Sequence, residues 1–291
     1  LLGIQALSQF CKGKLEGDKI NSREIIFEPG SDYQSRISIN IPTAGSITLI
    51  LQALIPPALF FSESTAILFK GGATDTFFSP TFDYFQYVFL KILEITGAKT
   101  EISVLKRGYY PEGGAEVEVK IFPSKLKPFN ITERGEFKKV LIISGASSAL
   151  KDKKVAERQI SGVKEILGKL KLLSEEKTEY YETQSPGSHI CLIAEYKNTF
   201  IGADNLGKLG KRAEDVGKEA ALKLLKEEKS GACLDEHLAD QILPYMALAS
   251  GKSRVIVSEI TEHCRANIWT IEKFLPGKFE IKGNLIKWIP F

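Results

Sequence analysis

The chain has 291 residues, 43% of them hydrophobic, and 39 basic against 36 acidic residues leave a formal net charge of +3 at pH 7. Such a chain can bury a substantial core as one large domain or two ordinary ones, which excludes disordered and fibrous classes. Its nearly balanced charge means that a nucleic acid would have to be gripped at a local basic site rather than by a globally basic surface.

The four cysteines, Cys11, Cys191, Cys233 and Cys264, form no C-x-x-C pair, which argues against a zinc site or a disulfide framework. No apolar run reaches the ~18 residues of a membrane span and no signal peptide opens the chain, so the expected setting is reducing and cytoplasmic. Leu1, Ile4, Leu7 and Phe10 recur at helical spacing, so the sequence opens inside a helix without a cap or an initiator methionine, as a piece of a longer chain would.

Residues 14–17 and 24–27 read as the strands of a hairpin, followed by the turn signal Pro29-Gly30. Residues 35–41 alternate as a strand, and Thr43-Ala44-Gly45-Ser46 then offers caps to a helix carrying Ile47, Leu51 and Leu54 until Pro56-Pro57 stops it. Gln52, near the end of that helix, reads by itself as a solvated helix glutamine. Residues 64–70 form a strand, and Gly71-Gly72 marks a turn without any phosphate-loop pattern. Pro80 precedes a helix capped by Thr81, striped by Phe82, Phe85, Phe89 and Ile92 and ended by Gly97; these aromatics read as core.

Strands at 101–105 and 116–121 flank Arg107-Gly108-Tyr109-Tyr110-Pro111-Glu112-Gly113-Gly114-Ala115, where proline and glycines suit a tight connection with close backbone approach. Residues 135–232 read as an inserted α/β domain: a strand at 140–143, a helix through Ile160, Val163, Leu167 and Leu170, paired strands at 190–193 and 199–201, and a helix lined by Val216, Ala220 and Leu224. His189 is expected at the surface where one of these strands begins. The lysine-rich stretches 151–154 and 169–177 read as solvated helix faces, with nucleic-acid contact as the alternative.

Helix-then-hairpin recurs within 1–27, 81–121 and 267–288. The expected fold class is therefore α/β of the α+β type, with 1–134 and 233–291 forming a main domain of repeated units around the insertion. In that domain Asp235 can cap a helix with Leu238, Ile242 and Met246 on its apolar side, where Asp240 and Gln241 read alone as ordinary polar residues.

The most reactive stretch is 258–269, which contains one of only three histidines. A strand, Arg254-Val255-Ile256-Val257, precedes it, and Asn267 can cap a helix buried through Ile268, Ile271 and Leu275, which puts His263 just before a helix N-terminus. Backbone N–H groups and the positive end of the macrodipole suit phosphates there, and an unprotonated imidazole can attack phosphorus. Read locally, a loop histidine is a surface or capping residue.

His263 with Asn267 and the ending Glu272-Lys273-Phe274-Leu275-Pro276 resembles the C-terminal signature of RNA 3′-terminal phosphate cyclases, with Ala266 where many members have threonine. The 107–115 loop resembles the family's Arg-Gly-x-x-Pro-x-Gly-Gly-Gly run, with Ala115 in place of the third glycine. The Thr43-Ala44-Gly45-Ser46 run leading to Gln52, the Thr-Asp and Ser-Pro pieces around Pro80, and Leu238-Ala239-Asp240-Gln241 also match. His237 stands where an aromatic ring that stacks on adenine is common.

The resemblance implies ATP as cofactor with a divalent metal (Mg or Mn), an RNA with a 3′-terminal phosphate as partner, and a further N-terminal stretch with a glycine-rich turn. It implies nucleotide contacts from Gln52, Pro80, His237, Leu238, Ala239, Asp240 and Gln241, with His263 as the catalytic nucleophile; it assigns no metal ligands. His263 would take AMP from ATP and pass it to the RNA 3′-phosphate, and the ribose 2′-hydroxyl would displace AMP to leave a 2′,3′-cyclic phosphate. The main rival is a non-catalytic relative that binds RNA in ribosomal RNA processing, a group that lacks the nucleophilic histidine. A second is a small-molecule transferase of repeated α/β units, whose ATP turnover RNA would not affect.

Overall fold

The computed structural model describes residues 1–170 and 173–291; Lys171 and Leu172, part of the expected lysine-rich face at 169–177, lie outside the described residues. The described chain divides into two units, one made of Leu1–Phe82, Lys99–Ser124 and Tyr181–Pro186, the other of Asp83–Ala98, Lys125–Tyr180 and Gly187–Phe291.

In the first unit, α1 (Leu2–Phe10) buries Ala6 and Phe10 and leads into an antiparallel pair, β1 (Lys14–Glu16) and β2 (Ile26–Glu28). β3 (Arg36–Ser46) turns Ile37, Ile39 and Ile41 inward and Arg36, Ser38 and Asn40 outward. Ser46 ends it and starts α2 (Ile47–Ala58), its hydroxyl accepting from the Leu49 N–H at 3.3 Å. Pro56 and Pro57 lie inside the last turn of α2 instead of stopping it. That turn persists because Leu54, Ile55 and Ala58 are buried and the Leu59 N–H still reaches the Ile55 carbonyl at 3.1 Å.

β4 (Thr65–Ala73) pairs parallel with β3, and with β5 (Lys99–Lys106) and β6 (Glu116–Phe122) it completes a sheet of order β3-β4-β6-β5. The 107–115 loop folds back on the end of β4: Ala115 N–H donates to the Gly72 carbonyl at 3.1 Å and Gly71 N–H to the Ala115 carbonyl at 2.8 Å. A Cβ on Gly113, whose φ is +76°, would lie 2.4 Å from the Gly72 oxygen, so a side chain there is incompatible with this approach. Arg107 is buried against the Asp75 carboxylate at 3.1 Å.

The aromatic stripe at 82–95 is three pieces, α3 (Phe82–Tyr84), a π-helical turn (Phe85–Phe89) and α4 (Leu90–Ile95), where the sequence pattern predicts a single α-helix. The wider turn lets Phe85, Val88 and Phe89 all be buried, with the Phe85 and Phe89 rings stacked at 4.9 Å.

In the second unit, β7 (Asn130–Ile131) is followed by β8 (Phe137–Ser147), α5 (Val155–Leu167), β9 (Ser174–Tyr181), β10 (Ser188–Tyr196), β11 (Phe200–Leu206) and α6 (Ala213–Ser230). One sheet has the order β11-β10-β8-β9. Ile190, Leu192 and Ala194 of β10 pack with Ile160 and Val163 of α5 and with Val216, Ala220 and Leu224 of α6. The opposite face of β10 carries His189, which is fully buried with Nε2 2.7 Å from Asp83 Oδ2, so the expected surface position is corrected. β10 is an interior strand, and the 82–95 helix covers its second face: a Cβ on Gly202 of the adjoining β11 would lie 2.5 Å from the Tyr84 ring.

The chain ends with α7 (Glu236–Leu248), β12 (Ser253–Ile256), α8 (Glu262–Phe274), β13 (Gly277–Lys282) and β14 (Leu285–Pro290), the strands forming a sheet of order β13-β14-β12-β7. Helix followed by antiparallel hairpin thus occurs at α1, at α3 with α4, and at α8, within a mixed α/β fold. Among the described residues no helix is long and apolar enough to cross a membrane.

Candidate active site

α7 is fixed at its start by Asp235, whose Oδ1 accepts the N–H groups of His237 at 3.2 Å and Leu238 at 2.9 Å while Oδ2 accepts from Gly202 at 2.9 Å. The Tyr84 hydroxyl also donates to this carboxylate, and burial, with the neighbouring negative charge adding to it, pushes the Tyr84 phenol well above its usual range. Burial pushes the Asp235 carboxyl up as well, against these donors. Asp235 is therefore the anchor that sets the direction of the helix.

Downstream of that anchor, the side chains divide sharply. Leu238 and Ala239 are fully buried in the core, His237 is exposed, and Asp240 and Gln241 lie half-buried between them. Gln241 Oε1 is buried without a hydrogen-bond partner among the described residues. Burial pushes the Asp240 carboxyl up, and the imidazoles of His263 and then His237 act against it.

His263 itself lies inside the first turn of α8 and is exposed. The cap is Thr261, whose hydroxyl accepts from Cys264 N–H at 3.2 Å, and this corrects the expectation that Asn267 caps the helix and leaves His263 ahead of it. Cys264 is fully buried, so the helix already packs one turn before Asn267. Asn267 serves instead as a bridge. Its Nδ2 donates to the Asp240 carbonyl at 3.1 Å, tying α8 to α7 at Asp240.

Gln52 and Pro80 belong to the first unit. Thr48, one turn before Gln52 on α2, donates from its hydroxyl to the Pro80 carbonyl at 3.1 Å, so Pro80 lies against the first turn of that helix, one turn ahead of Gln52. Gln52 Nε2 is buried and without a partner among the described residues. Each unit thus holds one of the expected glutamines with a buried amide atom of open hydrogen-bonding capacity, a donor on Gln52 in the first and an acceptor on Gln241 in the second. Among the described residues no group of three or more His, Cys, Asp or Glu side chains is placed to hold a metal ion.

Sequence reasoning gives no role to Thr261, to Asn267 as a bridge, or to Asp235 as a shared acceptor. A signal exists for the first, a threonine followed by an acidic residue at the start of a helix.

The fold is mixed α/β, and it carries a histidine in the first turn of α8, the helix that Asn267 ties to Asp240. The chain belongs to the RNA 3′-terminal phosphate cyclase family, whose model matches residues 1–281. It is similar to the RNA 3′-terminal phosphate cyclase of Korarchaeum cryptofilum (strain OPF8), 40% identical over 288 residues that cover 98% of this chain and 81% of that protein. The corresponding protein of Pyrococcus furiosus is 41% identical over 286 residues, covering 98% of this chain and 82% of its own length. That of Staphylothermus marinus is 41% identical over 295 residues, with coverage of 98% and 82%.

Proposed function

We propose that this chain converts an RNA 3′-terminal phosphate to a 2′,3′-cyclic phosphate at the expense of ATP, with His263 as the nucleophile. The observation that carries the reading is the exposed His263 imidazole in the N-terminal turn of α8, the helix that Asn267 ties to Asp240 of α7. A helix N-terminus draws phosphate oxygens toward its N–H groups, and an imidazole there is within reach of the phosphorus they surround.

In the first step an imidazole nitrogen lone pair forms a bond to the α-phosphorus of ATP and pyrophosphate leaves, giving adenylyl-histidine. Asp240 opposes the positive charge that grows on the ring. An oxygen of the RNA 3′-phosphate then attacks the adenylyl phosphorus and His263 leaves. Finally the adjacent 2′-hydroxyl loses its proton and attacks the RNA phosphorus, and AMP departs with the electrons of the anhydride bond. Gln52, Pro80, His237, Leu238, Ala239, Asp240 and Gln241 are proposed as the nucleotide-contacting set, Leu238 and Ala239 through the backbone they place.

A divalent ion would enter with the triphosphate; the described residues do not form a cluster that fits it, and no step is drawn through it. Cys11, Cys191, Cys233 and Cys264 are all free thiols, which suits a cytoplasmic setting. The non-catalytic, RNA-binding reading is disfavoured by His263.

The test is incubation of the full-length protein with α-labelled ATP and magnesium or manganese, beside His263→Ala. Label that survives denaturation, is acid-labile and alkali-stable, and appears on the unsubstituted protein alone is expected. If that protein is folded and binds ATP but takes up no label, the histidine mechanism fails and RNA binding without catalysis becomes the better reading.

A further inference from the structure

We infer that the outward face of α8 binds the single-stranded RNA chain just upstream of its 3′ end, with a base stacked on Trp269. This rests on the proposed reaction only for the placement of the RNA terminus at His263. The inward face of α8 is accounted for: Cys264 and Ile271 are buried, Asn267 bonds to Asp240, and Glu272 Oε1 accepts from Phe279 N–H at 2.7 Å. Arg265, Trp269 and Lys273 follow one another at intervals of four and form a single stripe elsewhere on the same helix.

The chain has two tryptophans, and they differ completely in environment: Trp288 is 1% exposed and Trp269 is 66% exposed. The Lys273 ammonium stands 5.4 Å from the centre of the Trp269 ring. Arg265 lies one turn toward His263, its side chain 59% exposed and its contact with Glu262 a loose 3.5 Å pair. Exposed pairs of this kind hold weakly and exchange readily for a phosphate.

An aromatic face between two cations is the pattern that single-stranded nucleic acid fits, bases stacking and phosphates meeting the charges, without sequence preference. An apolar partner would strip water from both cations without compensating them. Trp269 is six residues beyond His263, about 9 Å along the axis at ~1.5 Å per residue and about 120° around it at 3.6 residues per turn, with both side chains exposed. That is the span of a few stacked nucleotides at ~3.4 Å each.

The buried Trp288 makes Trp269 a reporter of its own surface. The full-length protein, without ATP, is titrated with a short single-stranded oligoribonucleotide ending in a 3′-phosphate while tryptophan emission is followed, and affinity is read in parallel from the anisotropy of a labelled copy. Expected are a water-exposed emission quenched by RNA, a loss of affinity of about 5- to 100-fold in Trp269→Ala, and recovery of most of that affinity in Trp269→Phe, which lacks the quench. RNA binding without quenching, an unchanged affinity in Trp269→Ala, or no binding at all overturns the inference. So does a Trp269 emission already shielded from acrylamide before RNA is added, because protein would then cover this face. Quenching by RNA in a protein that takes up no adenylate keeps this surface and removes the histidine mechanism. Adenylate uptake without quenching does the reverse.

Discussion

Asp240 is under opposing demands. Burial raises its carboxyl pKa, and the imidazoles of His263 and His237 pull in the other direction without cancelling the rise. Between the ordinary carboxylate pKa and the raised one, the folded chain therefore holds a proton that the unfolded chain has released. With fewer protons on the unfolded state, stability falls as pH climbs through that window. Asp240→Asn is expected to raise Tm at neutral pH, with the gain shrinking to nothing once the pH drops below the ordinary carboxylate range; thermal melts across that span measure it. The same substitution is expected to slow histidine adenylylation by about 10²-fold, since an amide does not offset charge on the attacking ring. A Tm difference independent of pH would show that the carboxyl is solvated.

Gln241 separates binding from folding. Its Oε1 bonds to nothing among the described residues, so Gln241→Met forfeits no internal hydrogen bond at that atom and should shift stability by less than about 0.5 kcal/mol. ATP affinity should fall by roughly 0.5–1.5 kcal/mol, a few-fold to about tenfold by calorimetric titration. A large loss of Tm with unchanged ATP affinity would make this glutamine a structural residue.

α5 and α6 cross at close range. A Cβ on Gly162 would lie 1.9 Å from the Glu214 carbonyl oxygen, and one on Gly217 1.9 Å from the Gln159 carbonyl oxygen, so each helix supplies the glycine that admits the other's backbone. Arg158 closes the crossing with two 2.9 Å bonds to the Glu214 carboxylate. Gly162→Ala should separate the helices and cost about 1–3 kcal/mol by denaturant melting, far more than Ala's better helix propensity returns. A stabilised Gly162→Ala would mean that the two backbones do not approach this closely in solution.

What is legible in the sequence at this scale follows from what is local. The spacing of Leu238, Ile242 and Met246 suffices for α7, because all three face one core and all three are fully buried. The start of α8 is ambiguous because Thr261 and Asn267 satisfy the same capping rule, and only the burial of Cys264 between them decides for Thr261. For His189 the sequence pattern places the strand correctly and the environment wrongly, since its partner Asp83 lies 106 residues earlier. The tie from Asn267 to Asp240, 27 residues back, is equally invisible in the pattern, whereas the likeness carried by residues 263–276 points to His263 without it.

At the scale of the whole molecule, the +3 net charge decides how RNA can be held. A surface with 39 cations and 36 anions exerts little long-range pull, so affinity should depend on salt through the few phosphates actually touched. Each phosphate neutralised on a single strand contributes about −0.7 to the slope of log K against log salt, so engagement by Arg265 and Lys273 alone predicts a slope near about −1.4. Replacing both with glutamine should bring it close to zero. The exposed lysines at 151, 153 and 154 offer the competing arrangement, a basic tract in the turn between β8 and α5 that would steepen the slope well beyond this value. A steep slope that survives Arg265→Gln with Lys273→Gln and collapses when those lysines are replaced would move the RNA from the helix that bears His263 to the turn between β8 and α5. A shallow slope lost with Arg265 and Lys273 keeps it on α8, where a base can reach Trp269.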